Sequence, residues 1–222
     1  MDILLIVVPL VLVYISQWYI QSSYNKYNKY AVTSKMTGAE TARKILDSNG
    51  LSKVKIVEIP GELTDNFNPS TNTVSLSSDI YNDSSIASVA VAAHECGHVI
   101  QHKEKYAPIV IRSALVPIVN IASKAGYAIM VIGVLASILN VAMLGLILMC
   151  ASLVFQLVTL PTEFDASKRG KKQLLELGII TKKELPKVAS MLYAAAMTYL
   201  ASFFASFAQM LRLFLQLNRE RD

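Results

Sequence analysis

From Ser113 to Pro161 the chain runs for nearly fifty residues with a single charged side chain, Lys124. A backbone in so apolar a run must satisfy its own N–H and C=O groups, and inside a bilayer only helices and closed barrels do so. About 20 apolar residues cross the hydrocarbon core once as a helix. The length therefore predicts a transmembrane helical hairpin over residues 113–160, with its tight turn at Ser137–Asn140. A hairpin returns the chain to the side of the membrane that it left. Lys124 is expected to snorkel or to face the interior. A second run, Ile3 to Ile20, holds 18 residues without a charge. It has no basic n-region and no small-residue cleavage site, and Trp18-Tyr19 looks like an interfacial belt. It reads as a retained transmembrane anchor over residues 1–22, not as a signal peptide. Lys26, Lys29 and Lys35 follow it, against Asp2 before it. That bias puts the N-terminus outside and the next segment in the cytoplasm.

The rest of the chain is more polar. A hydrophobic fraction of 53% and a mean hydropathy of +0.43 are high for a soluble protein and low for a pure bundle of spans. Charge falls in blocks, as expected of a soluble module interleaved with membrane segments. The net charge of +5 makes no case for nucleic acid, because the basic residues flank apolar segments and suit anionic lipid headgroups. The partner expected from this pattern is a lipid bilayer. Cys96 and Cys150 form no disulfide framework and read as small buried residues.

Residues 23–112 and 161–187 are expected to form one cytoplasmic module. Thr37-Gly38-Ala39-Glu40 is a capping box opening a helix with an apolar stripe at Ala42, Ile45 and Leu46, and Gly50 ends it. Residues 53–59 alternate and read as a strand, 61–70 as a polar loop, and 72–77 as a second strand. Val74 to Leu76 is either an ordinary strand or one that pairs with an extended substrate. After the hairpin, Lys168, Arg169, Lys171, Lys172, Lys182, Lys183 and Lys187 again indicate the cytoplasm. Thr181 and Glu184 suit a second capping box. Residues 188–222 read as a C-terminal hydrophobic helix, membrane-associated or spanning. Arg212, Arg219 and Arg221 near its end disfavour translocation.

Within the module lies His94-Glu95-Cys96-Gly97-His98. It follows the small apolar run from Ile86 to Ala93, which Asp83 or Ser84 can cap, so the motif is expected on a buried helix. Residues four apart on a helix share a face about 5–6 Å apart. Two imidazoles so placed can grip one zinc ion, with Glu95 reaching a water at the open position. Two histidines and a glutamate buried without partners are costly, and a metal supplies the partner.

A catalytic zinc usually takes three protein ligands. His102 continues the same face, but it sits about 6 Å of helix rise beyond His98, too far for one ion to reach all three. Glu163 opens the segment after the hairpin, on the same side as the motif, and is the best third ligand in the chain. Asp165 and Ser167 can serve behind it, holding a histidine N–H or the ligand carboxylate. Otherwise Glu163 and Asp165 merely suit a helix N-terminus through the dipole.

An anchor, a His-Glu-x-x-His helix, a hydrophobic hairpin and then Glu163-Phe164-Asp165-Ala166-Ser167 resemble the membrane zinc peptidases of the HtpX and CAAX-prenyl-protease clan. Together with Thr37-Gly38-Ala39-Glu40, Val99-Ile100-Gln101 and Leu160-Pro161-Thr162, these residues more closely resemble the neutral zinc metallopeptidases of the YugP type, over nearly the whole chain. The resemblance implies a mainly α fold with a small β-sheet, gluzincin-like, with the transmembrane hairpin inserted between the metal-binding motifs. It implies His94, His98 and Glu163 as zinc ligands and Glu95 as general base. Relatives often carry Asp where this chain has Ser167. Asp65 to Pro69 also departs from the His and Asp expected in relatives, and no catalytic role is assigned there.

These readings predict a multi-pass cell-membrane protein, a zinc-dependent endopeptidase with its site on the cytoplasmic side, and the resemblance implies a protein or peptide substrate near the bilayer. Tyr193 and Tyr199 are candidate oxyanion donors, and each reads equally as a packed helix residue. A di-iron carboxylate protein would need a second Glu-x-x-His, which three histidines do not supply. The alternative is a non-catalytic metal-binding membrane scaffold or interaction protein, which has no need of Glu95 as a base.

Overall fold

Apolar runs too long to leave their backbones unpaired become helices, and the computed structural model, which describes residues 2–219, is mainly helical with one small sheet. In chain order it comprises α1 (Asp2–Tyr27), α2 (Gly38–Ser48), β1 (Lys55–Ile59), β2 (Asn66–Asn68), β3 (Thr73–Ser77), α3 (Ser78–Asn82), α4 (Ile86–Lys103), α5 (Ala107–Leu135), α6 (Leu139–Met149), α7 (Ala151–Glu176) and α8 (Leu185–Arg219). The side chain of Asp2, and Arg221, both used in the charge reading, lie outside the described part. The chain divides into two compact units.

One unit comprises the residues up to Gln17, Ala107–Pro161, and the chain from Met197 onward. Here α5 and α6 form an antiparallel pair whose backbones meet through glycine. A side chain on Gly133 would strike the Ala142 backbone, and one on Gly145 the Met130 backbone. Small residues at such crossings let apolar helices pack closely without a hydrophobic driving force. The turn falls between Leu135 and Leu139, with Ser137 in the left-handed region, matching the Ser137–Asn140 expectation. The Gln156 side-chain amide donates to Ser206 Oγ at 2.9 Å. Large apolar side chains such as Ile121, Leu135 and Ile147 are exposed, far beyond what a water-facing surface carries. Lys124 is also exposed, the outward of its two expected placements. Among the described residues, four helical stretches are long and apolar enough to cross a membrane: Ile3–Tyr27, Ala107–Leu135, Leu139–Glu176 and Leu185–Arg219.

The other unit comprises Trp18–Tyr106 and Thr162–Ala196. The Thr37/Glu40 capping box is formed in both directions, and Ala42, Ile45 and Leu46 of α2 are fully buried. The sheet has the order β1-β3-β2, with β1 parallel and β2 antiparallel to β3. The loop read over 61–70 therefore contains a strand, a three-residue one too short and too polar to announce itself by alternation. β3 is central, flanked by β1 along Thr73–Ser77 and by β2 along Thr73–Ser75, which favours the ordinary strand of the two readings of Val74–Leu76. The cap of α4 is Ser85, whose Oγ accepts from Ser88 N–H at 3.0 Å, not Asp83 or Ser84. The Ser84 carbonyl instead accepts from Val32 N–H, and Ala31 bridges Ser85, so extended backbone delays the helix.

Glu184 ties the start of α8 to the segment after α1. One carboxylate oxygen accepts from the Thr33 N–H and hydroxyl at 2.8 and 2.9 Å, the other from the Thr181 N–H and hydroxyl at 2.7 and 2.8 Å. This is half of the expected capping box, with the Thr181 hydroxyl turned onto the carboxylate. Burial opposes ionisation, but the four hydrogen bonds outweigh it and hold the carboxyl below the usual range. A depressed folded pKa gives stability that is present above the unfolded value and lost as pH falls through the folded one. Glu184→Gln offers one acceptor oxygen where two are needed. It is expected to cost about 1–3 kcal/mol at neutral pH and to flatten the acid limb of stability, read from thermal unfolding in detergent between pH 7 and pH 3.

Candidate metal centre

Two glycines set the distance between the helices that carry the site. A Cβ on Gly97 of α4 would collide with the Ala166 carbonyl of α7, and one on Gly170 of α7 would lie 2.7 Å from the Ala93 carbonyl oxygen. With no side chain at either position, the two backbones touch directly. Gly97→Ala should push the helices apart. It is expected to cost about 1–3 kcal/mol by overpacking and to weaken metal binding with it, measured by thermal unfolding and metal titration of the same preparation.

That contact brings His94, His98 and Glu163 together. His94 Nε2 lies 3.2 Å from Glu163 Oε2, His98 Nε2 lies 3.4 Å from the same oxygen, and the two Nε2 atoms are 3.2 Å apart. Zinc bonds near 2.0–2.1 Å in a tetrahedral site imply a ligand–ligand spacing of about 3.3 Å. The three atoms therefore fit one ion and leave a fourth position. Among the described residues this is the cluster of His, Cys, Asp or Glu able to hold a metal. Glu163 is 2% exposed, so the carboxylate has little water to solvate it. Three acceptor atoms converging in so dry a place call for a cation.

The other nitrogen of each ring is held. His98 Nδ1 lies 3.0 Å from Gln101 Oε1, and His94 Nδ1 lies 3.0 Å from Ser167 Oγ. Burial disfavours the charged form of His98, but the hydrogen bond and charge of Glu163 prevail and raise its pKa. Glu95, also buried, is pushed up by desolvation, partly offset by the two histidines and reinforced by Glu163 and Asp65. A carboxylate so placed is a stronger base than an exposed one.

Several expected roles are redrawn. Glu163 does not open a helix, because α7 runs unbroken from Ala151 with Pro161 inside it, and the break falls at Cys150. The dipole explanation for Glu163 and Asp165 therefore lapses. Ser167 touches a histidine as expected, whereas Asp165 reaches Gln101 at 2.9 Å and Arg169. His102 packs against the Phe67 ring, outside the cluster. Cys96 is buried with its thiol pushed up by desolvation, near the Ala42 carbonyl. Tyr193 lines a groove of about 500 Å³ beside Ser167, Phe164 and Lys171. Tyr199 belongs to the other unit. Asp65 accepts from the N–H and hydroxyl of Ser77 at the end of β3. Gln101 was missed, although it stands three residues past His98 on the face that carries both histidines.

A helical protein with a small sheet, four candidate spans and a two-histidine, one-glutamate cluster is the class these features define. The model of the family described as "Putative neutral zinc metallopeptidase" matches residues 2–218, and the chain belongs to that family. It is 40% identical over 220 residues to "Putative membrane protease YugP" of Bacillus subtilis (strain 168), across 99% of this chain and 98% of the relative. No solved structure matches the chain.

Proposed function

We propose that the chain is a zinc-dependent endopeptidase embedded in the cell membrane, of gluzincin type, with its site in the cytoplasm. The observation that carries this reading is the spacing of the His94, His98 and Glu163 ligand atoms, 3.2–3.4 Å apart beside the buried Glu95. When bound, zinc supplies Lewis acidity, which polarises a carbonyl and acidifies water. His94, His98 and Glu163 would hold the ion, and the Nδ1 contacts of His94 with Ser167 and of His98 with Gln101 keep the two rings in place. Glu95 takes the proton of the attacking water and passes it to the leaving amine. The substrate is a protein or peptide near the bilayer. Tyr193, exposed in the groove beside Ser167, is the candidate donor to the developing oxyanion.

Sidedness rests on charge. The lysines after α1 and the basic run from Lys168 to Lys187 belong to one unit, and positive charge marks cytoplasmic segments. The α5–α6/α7 hairpin then crosses the membrane twice between the two halves of the site. The protein purified in detergent is expected to hydrolyse an unfolded protein such as casein, to lose activity on dialysis against a chelator, and to regain it with stoichiometric zinc. Activity that survives complete zinc removal contradicts this reading.

A further inference from the structure

Gln101 is fully buried and its amide makes three contacts. Nε2 donates to the Thr162 carbonyl at 2.8 Å and to Asp165 Oδ2 at 2.9 Å, while Oε1 faces His98 Nδ1 at 3.0 Å. Turning the amide over would set its oxygen against a carbonyl and a carboxylate, two acceptors with no proton to share. Those two acceptors therefore assign the amide one orientation, with Nε2 toward Thr162 and Asp165. With Oε1 an acceptor, His98 Nδ1 must carry the proton. The Nε2 lone pair is then left pointing at Glu163 and His94. The hydroxyl of Ser167, which both donates and accepts, imposes no such choice on His94.

Asp165 is itself held. Arg169 Nε bonds its Oδ2, Arg169 Nη1 reaches Glu104 just past the end of α4, and the guanidinium lies over the Tyr106 ring, 5.6 Å from its centroid. A chain of contacts thus runs from the surface residue Glu104 through Arg169, Asp165 and Gln101 to His98. It links the last turn of α4 to α7 within the unit that holds the site.

We propose that Gln101, clamped by the Thr162 carbonyl and by Asp165, is a positioning residue that locks His98 in the tautomer able to bind the metal. This rests on His94, His98 and Glu163 being the metal ligands. Outer partners of ligating histidines are worth 10–100-fold in metal affinity as a general rule. Gln101→Leu keeps the size and removes the acceptor. It is expected to lower zinc affinity by about 10–100-fold, measured by competition with a chromophoric chelator, and to shift the visible absorption of the cobalt-substituted protein. Asp165→Asn can keep the one oxygen that both Gln101 and Arg169 bond but removes its negative charge. It should shift both readouts in the same direction by less, and it serves where Gln101→Leu does not fold. Unchanged zinc affinity and an unchanged cobalt spectrum in a folded variant, with only the melting temperature lowered, assign Gln101 a packing role and overturn the proposal. Failure of the parent protein to bind zinc overturns the ligand assignment and this inference with it.

Discussion

Glu95→Gln is expected to retain zinc at parental affinity and to lose hydrolysis by a factor of about 10²–10⁴ in kcat. The amide is nearly isosteric with the carboxylate and cannot accept the proton that the attacking water must give up. Glu95 is not among the three atoms that converge on the ion, so its replacement leaves the ligand set intact. Removing a buried carboxyl whose ionisation is already penalised by desolvation should also leave the fold as stable or slightly more so. Steady-state hydrolysis and metal content measured on the same preparation separate these effects. Loss of both together would make Glu95 a structural or ligating group. Parental activity in the variant would remove Glu95 from the chemistry, whereas no hydrolysis by the parent protein under any condition would favour the scaffold alternative.

Glu163→Ala is expected to have the larger effect on metal binding. It takes away an inner ligand, so zinc affinity should fall by more than the roughly 10–100-fold typical of an outer partner. His94 and His98 share one face of α4 and remain only as a two-point grip. Glu163→Gln should also fail, because its neutral oxygen is a poor substitute for a carboxylate between two imidazoles 3.2 and 3.4 Å away. Zinc affinity within a factor of about two of the parent in both variants would refute the assignment of the third ligand.

The sequence exposed some of this fold more clearly than the rest, for physical reasons. The hairpin turn at Ser137 and the capping box at Thr37 are local, and their residue types state what the backbone does there. His94 and His98 are likewise local, one helical turn apart. Glu163 is 65 residues beyond His98, and only the return of the chain after the apolar run made it a candidate. Its position inside α7 was not legible, because Pro161 resembles a helix start and is tolerated within a long helix. β2 escaped notice because three residues are too few to show a period. Gln101 and the glycine contacts at 97 and 170 depend on which helices touch, and a single chain's pattern does not carry that. The same limit applied to β3, whose alternation marks a strand but not whether its edges are free.

X-ray absorption at the zinc edge of the purified, zinc-loaded protein tests the central claim most directly. One zinc per chain should show only nitrogen and oxygen neighbours near about 2.0–2.1 Å, with the outer-shell scattering of two imidazoles. A sulfur neighbour near about 2.3 Å, or a protein that takes up no zinc, would contradict a centre built from His94, His98 and Glu163.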